Sequence, residues 1–478
     1  MSPQSSRKWP AFLLVATGVF MSTLDSSMVN LALPAIMREF HATLKDTEWV
    51  VLAYLLTVTA TLLFWGHLGD RLGRGRIYGT GMLVFGIGSL ACAHAPTLAL
   101  LIAARFLQAL GAAMMMATGP AVIKEVFPRE QLGRGLGMIG MAVSLGLMCG
   151  PGLGGILLSF ASWRALFFIT VPLGLGLAPL CRRLLPGPGA ERHHPSVPLD
   201  WLGGLSWATG LSLLSLGLTH AGAEGWPLPG LTITLAGGGM ALYSFLRIEA
   251  TVPHPLLALE LFRSRRFAMA ILSATLSFTV LFAVIFLMPF LLDRVLGLPP
   301  RRIGLVMLAV PASILAVSPL AGWLADRAEA RLVSTGGLAL STLGVLLLAT
   351  MDAAPQPLSL AMRLSLLGAG QALFLSPNSA SVLAQVARQH TGAAAALLAT
   401  ARNLGMLLGI AQAGLLFALA FHWHTNGLDL RDFTPHHAEA FLAALHVALL
   451  GTAAIGIIAT AASWTRGNRR GMETTPVA

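Results

Sequence analysis

Apolar runs of spanning length, about 20 residues each, recur along almost the whole chain, separated by short polar connections. They fall near residues 11–34, 48–68, 77–94, 97–121, 135–158, 164–182, 201–220, 227–247, 267–291, 303–324, 332–350, 357–384, 393–421 and 440–463, fourteen in all. The runs are too long and too uniformly apolar for barrel strands, which alternate. Helices are the expected element, because each satisfies its own backbone polar groups in lipid. The pattern predicts an all-α polytopic membrane protein with 14 transmembrane helices. The polar stretch PGPGAERHHPSVP (186–198) separates six spans from the rest, and another polar connection, 248–266, precedes the last six. The expected layout is a six-helix bundle over 1–185, a linker with two inserted helices and a following loop over 186–266, and a second six-helix bundle with a short tail over 267–478.

Composition strengthens this picture. Of 478 residues, 55% are hydrophobic and 11% charged, against roughly 25% charged in soluble proteins; the mean hydropathy is +0.75. Arg7 and Lys8 precede a run that continues to Pro34, longer than the apolar core of a secretory leader, so it reads as the first span. With the N-terminus placed inside, 21 of the 31 Lys and Arg residues fall in inside segments, 7 outside and 3 within spans. The expected location is a bacterial inner membrane, and that bias places both termini in the cytoplasm. It also spreads the +11 formal charge over many loops, so no nucleic-acid partner is implied. Cys92, Cys149 and Cys181 fit no metal or redox spacing, and His193 and His194 in the linker have no further ligand nearby. No metal site is expected. There is no Walker-type phosphate loop and no nucleophile elbow in a suitable context, so the chain is expected not to be an enzyme.

The chemistry lies in the few polar residues inside spans. Asp25 sits within GVFMSTLDSSMVNLALP (18–34). A carboxylate at mid-membrane costs about 2.5–3.5 kcal/mol, and taking up a proton removes that cost. Such a group can exchange a proton for cargo as its surroundings alternate between two sides; alternatively it only ties span 1 to a neighbour by hydrogen bonds. Arg105 in span 4 lies at a similar depth. Asp25 is nine residues before Pro34 and Arg105 eight residues after Thr97, both roughly 12–14 Å from the outer boundary at 1.5 Å per residue. Arg105 is therefore the natural counterpart of Asp25, or else a bond to backbone carbonyls that holds spans together. No other acid lies so deep in a span, with Asp293 near the outer end of span 9 a possible second. GHLGDRLGRGR (66–76) and GWLADRAEAR (322–331) each follow the second span of a six-span block. Two parallel halves related by an internal repeat are the build of a secondary transporter. Gly146, Gly150 and Gly154 are four apart on one helix face that permits close approach, and Pro151 bends that helix.

These motifs together resemble the major facilitator superfamily, and its fourteen-span drug:proton antiporter family in particular. LDSSMVNLALP (24–34), the 66–76 loop, RFLQALGAA (105–113) and GLMCGPGLGG (146–155) carry the resemblance, with WRALFFITVP (163–172) and RNLGMLLG (402–409) in support. The resemblance implies the major facilitator fold, two six-helix bundles plus two inserted helices. It assigns proton coupling to Asp25 and Arg105 and gating to Asp70, Arg71 and Arg74, with Asp326 and Arg327 as their second-half counterparts. It ties Gly146, Gly150, Pro151, Gly154 and Gly155 to antiport. Candidate substrate contacts are Asp25, Asn30, Gln108, Met115 and Asn378. The expected function is export of amphipathic drugs by alternating access, with protons as the coupling ion, no other cofactor, and a monomer in the bilayer. A proton-coupled exporter of one metabolite or self-made antibiotic shares every motif, and a non-transporting membrane scaffold is the alternative of a different class.

Overall fold

The computed structural model describes residues 3–128, 131–185, 200–220, 228–252, 256–257, 259–352, 355–386 and 391–466. Among them there is no strand. Fourteen helical spans are long and apolar enough to cross a membrane: Lys8–Glu39, Leu44–Leu72, Arg74–Ala93, Leu98–Val126, Met141–Phe160, Arg164–Leu184, Trp201–His220, Pro229–Glu249, Arg265–Val295, Pro300–Ala325, Ala330–Ala349, Pro357–Ala384, Ala394–His424 and Pro435–Trp464. They are numbered 1 to 14 here. An even number of crossings brings the start of span 1 and the end of span 14 to one face, called the terminal face. The expected linker 186–198, including Arg192, His193 and His194, lies outside the described residues.

Local chemistry ends several of the spans. Thr43 caps span 2, its hydroxyl accepting from the Asp46 N–H at 3.0 Å. Thr97 caps span 4 and Ser264 span 9 in the same way. Gly73 closes span 2 and opens span 3 with a φ of 95°, a left-handed turn that a side chain would strain.

The internal repeat governs packing. In the first half, span 1 packs on span 5, span 2 on span 4, span 3 on span 4, and span 3 on span 6. In the second half, span 9 packs on 13, span 10 on 12, span 11 on 12, and span 11 on 14. These are the same four pairings shifted by eight spans, and they define the two six-helix bundles. The halves meet along two seams that the repeat also relates, span 5 against span 10 and span 2 against span 13. Span 7 packs against spans 2 and 13, with Trp207 Nε1 donating to the Thr59 carbonyl at 3.1 Å and the Trp201 ring 4.8 Å from Phe64. Span 8 packs on span 7 and turns most of its surface outward.

The halves are held together at the face opposite the termini. Arg38 at the end of span 1 pairs with Asp293 at the end of span 9. Close by, spans 5 and 10 cross on two glycines. A Cβ on Gly155 would lie 2.9 Å from the Gly304 Cα, and one on Gly304 would lie 2.5 Å from the Pro151 carbonyl oxygen. Backbone rather than a flexible side chain is in the way, so the crossing cannot yield locally. Gly304→Ala is therefore expected to lower stability by about 1–3 kcal/mol in thermal unfolding of the detergent-solubilised protein. Gly239→Ala, where a Cβ meets nothing within 4 Å, should stay within about 0.5 kcal/mol of the parent.

Candidate functional site

Asp25 and Arg105 meet. Arg105 Nη1 donates to Asp25 Oδ2 at 2.5 Å, and both residues are 0% exposed. The depth match read from the sequence thus corresponds to a direct ion pair between spans 1 and 4. Gln108, one turn after Arg105, closes the arrangement. Its Nε2 donates to Asp25 Oδ1 at 2.9 Å and to Ser89 Oγ at 2.8 Å, and its Oε1 accepts from Arg105 Nη1 at 2.6 Å. Span 2 contributes the Val50 carbonyl, which accepts from Arg105 Nε at 2.9 Å, and the Tyr54 ring, whose centroid lies 4.3 Å from the guanidinium carbon. Thr170 of span 6 reaches Ser89 at 3.0 Å. Five spans thus converge on one carboxylate. Gly88 permits it, since a Cβ there would lie 2.5 Å from the Gln108 backbone.

The carboxylate accepts from two donors, but Arg105 Nη2 is buried with no partner. The second half has a polar cluster on spans 9, 11 and 12. Its polar knot is neutral: Ser277 donates to Gln371 Oε1 at 2.8 Å, and Gln371 Nε2 reaches Ser341 Oγ at 3.2 Å.

Span 1 also faces the seam between the halves. A small cavity opens there, lined by Ser27, Asn30 and Pro151 from the first half and by Phe282, Met307 and Ile314, among others, from the second. None of its lining residues is charged. Asn30 donates to the Ser26 carbonyl at 2.9 Å and leaves its own Oδ1 without a partner. Of the candidate substrate contacts, only Asn30 lines this cavity. Asp25 and Gln108 are sealed in the network behind it. Met115 is buried between spans 1, 3 and 4, beside Gly18 and Gly81. Asn378 donates to the Ala270 carbonyl at 3.3 Å, toward the terminal face.

The glycines of span 5 divide their work. Cβ atoms on Gly146, Gly150 and Gly154 would lie 2.0 Å from Thr23 Oγ1, 2.3 Å from Ser27 Oγ and 3.3 Å from Leu31 Cδ2. Gly146, Gly150 and Gly154 thus seat the Asp25-bearing helix, whereas Gly155 faces the other half, as does Gly152, where a Cβ would lie 3.8 Å from Leu308 Cδ1. Ser27 Oγ donates to the Leu147 carbonyl at 3.0 Å along the same contact. At the terminal face, Arg74 Nε donates to Asp70 and its Nη1 to Glu125, each at 2.7 Å, joining the ends of spans 2 and 4. Arg71 is exposed. The Arg327 guanidinium lies 4.2 Å from the Trp323 ring, and the Asp326 side chain lies outside the described residues. Arg402 Nη2 donates to Ser379 Oγ at 2.7 Å, and its guanidinium carbon lies 5.7 Å from the Phe278 ring centroid.

The sequence model of the Major Facilitator Superfamily matches residues 15–409. This chain is a member of that superfamily. It is 35% identical over 415 residues to the riboflavin transporter RibZ of Clostridioides difficile, covering 86% of this chain and 89% of RibZ. It is 31% identical to the multidrug resistance protein Stp of Mycobacterium tuberculosis, over 85% of this chain and 75% of Stp. Among solved structures, a bacterial homologue of the human lysosomal transporter Spinster superposes with a TM-score of 0.70 at 15% identity, covering 98% of this chain and 97% of that one. The protein is thus a multi-pass membrane transporter of the major facilitator fold, with relatives named for drug resistance and for a vitamin.

One acid escaped the sequence reading. Glu48 is 1% exposed, although the apolar run of span 2 begins only at that residue. The cap at Thr43 starts the helix at Leu44 and carries Glu48 a full turn inward. Thr43 followed by Asp46 was the available signal.

Removing one partner of a buried ion pair typically costs about 3–5 kcal/mol. Arg105→Gln is expected to approach that loss, and adding Asp25→Asn should restore part of it. A double-mutant cycle by chemical unfolding should give a coupling energy of at least about 1 kcal/mol.

Proposed function

We propose that the transporter exports amphipathic drugs in exchange for protons, alternating access between the cytoplasm, at the terminal face, and the exterior. The observation that carries this reading is the Asp25–Arg105–Gln108 network. It is dry, it contains one group able to take a proton, and it is attached to the same helix that lines the cavity. The loop charge bias supports placing both termini in the cytoplasm of a bacterial plasma membrane. The outer contacts, Arg38–Asp293 and Gly155–Gly304, then belong to a closed exterior and a cytoplasm-facing cavity.

Protonation of Asp25 removes the charge that holds Arg105. The guanidinium then keeps the Val50 carbonyl, Gln108 and Tyr54, and span 1 is released to slide along its glycine track on span 5. Residues Ser27 and Asn30 move with it and change the cavity. Asp25 thereby acts on cargo through helix position, and Asn30 offers the cavity a polar acceptor. Arg74, held by Asp70 and Glu125 in this arrangement, is free to change partners when the cytoplasmic ends approach. An uncharged, largely apolar cavity suits cargo recognised by shape and apolar area. Proton entry supplies about 2.3 kcal/mol per 100 mV of potential and about 1.36 kcal/mol per unit of pH difference.

RibZ, named for riboflavin, favours a second reading in which one aromatic metabolite is the cargo. The test is transport in proteoliposomes with an imposed pH gradient, using a panel of chemically unlike drugs together with riboflavin. Several unlike drugs should move and compete, and Asp25→Asn should cut gradient-driven transport by at least about tenfold. Transport of riboflavin alone would assign the second reading. Undiminished gradient-driven transport by the variant would remove the coupling role from Asp25.

A further inference from the structure

The two seams that close the face opposite the termini occupy equivalent places in the repeat. Gly66 and Gly322, like Asp70 and Asp326, are 256 residues apart, and so are Glu48 and Gly304. Gly146 and Gly405, like Gly150 and Gly409, are 259 apart, and so are Gly155 and Gly414. The Gly155–Gly304 contact of spans 5 and 10 therefore has an exact repeat mate in spans 13 and 2, where Gly414 meets Glu48. The structure bears this out: a Cβ on Gly414 would lie 2.0 Å from Glu48 Oε2. One seam closes glycine on glycine. The other closes at the same place on a carboxyl group.

That carboxyl group is an outlier in its setting. Glu48 is 1% exposed and its Oε2 has no hydrogen-bond partner. The charges that reach it are Lys45 and Asp46 of its own helix, of opposite sign. Span 13 brings no titratable side chain between Arg402 and His422. Span 4 brings Arg105, committed to Asp25 and the Val50 carbonyl. Span 1 brings Asp25, held in that pair, with Arg38 and Glu39 at its end, which bond to Asp293 and to Trp163 and Arg164. Span 7 ends in His220 at the same face. Across the seam, the loop after span 13 sets Asp429 within electrostatic reach of Lys45; burial holds the Asp429 carboxyl above its usual range. An ionised carboxylate without a donor in such surroundings costs several kcal/mol, whereas the neutral acid fits them.

We infer that Glu48 is a second proton-binding site, a latch through which protonation from the outer solution closes the seam between spans 2 and 13. When the seam parts, water reaches the carboxyl group and the proton leaves to that water. When a proton returns, the neutral acid can be buried against Gly414 and the halves close. The proton enters and leaves by one face, so it carries no net charge across the membrane and does not add to the coupling performed by Asp25. This inference rests on the exporter reading only for calling that face outer; the latch itself is a property of the seam.

The test is a spin-label distance across the seam in lipid nanodiscs without cargo. Labels are placed at the exposed positions Pro96→Cys and His436→Cys, in a background carrying Cys92→Ala, Cys149→Ala and Cys181→Ala. The parent should be closed near about pH 5 and should show an open population at least about threefold larger near about pH 9. Glu48→Gln, which mimics the neutral acid, should stay closed at both. Gly414→Ala wedges the contact and should raise the open population at both. No pH response in the parent, or an unchanged response in Glu48→Gln, would overturn the inference. Asp25→Asn separates the two sites. If it keeps the response, the latch is independent of the coupling pair. If it abolishes the response while Glu48→Gln retains it, the switch belongs to span 1, and the latch falls while the exporter reading stands. Loss of gradient-driven transport in the parent, with the distance response intact, is the converse.

Discussion

A charge held in hydrocarbon has to be matched where it lies, and the first half of this transporter is arranged around that requirement. Arg105 cannot shed its charge, so Asp25 is needed to balance it, and Gln108, Ser89, the Val50 carbonyl and the Tyr54 ring complete its shell. The consequence reaches beyond the pair. Spans 1, 2, 3, 4 and 6 must all arrive at one depth for the shell to close, which fixes the register of the bundle. In the second half, Ser277, Gln371 and Ser341 form a neutral knot, and the buried Arg402 is held by Ser379 without a carboxylate. The repeat has kept the packing scheme and placed the buried ion pair in one copy.

Close packing supplies the complementary half of the design. In lipid there is no hydrophobic force between helices, so small residues that admit close approach carry much of the association. Span 5 presents glycine to span 1 on one face and to span 10 at Gly155. The helix that carries Asp25 and the helix that closes the opposite face therefore bear on the same element. Span 5 thus connects span 1 to the 5–10 seam by direct contact.

Much of this was legible in the sequence, because hydrocarbon imposes simple rules. Fourteen apolar runs, the six–two–six division and the duplicated Gly-x-Leu-small-Asp-Arg segment all have counterparts in the fold. Counting residues from the span ends was enough to set Asp25 and Arg105 at one depth. What stayed hidden depends on which way a side chain turns. Met115 and Asn378 sit in spans with polar or adaptable neighbours, yet they face the interior of a bundle. The span 5 glycines read as a face for close approach, but the sequence did not show that the helix approached by three of them is span 1. Glu48 was masked by a boundary rule, since an apolar-run criterion starts a helix at the first hydrophobic stretch and not at the capping threonine one turn earlier.

The inserted pair gives the molecule a front and a back within the plane of the bilayer. Span 7 lies across spans 2 and 13, with Trp201 and Trp207 set against span 2, and span 8 covers it. Among the described residues no helix pair covers spans 5 and 10 in the same way. One flank of the molecule is thus shuttered and the other, beside Pro151, is bare.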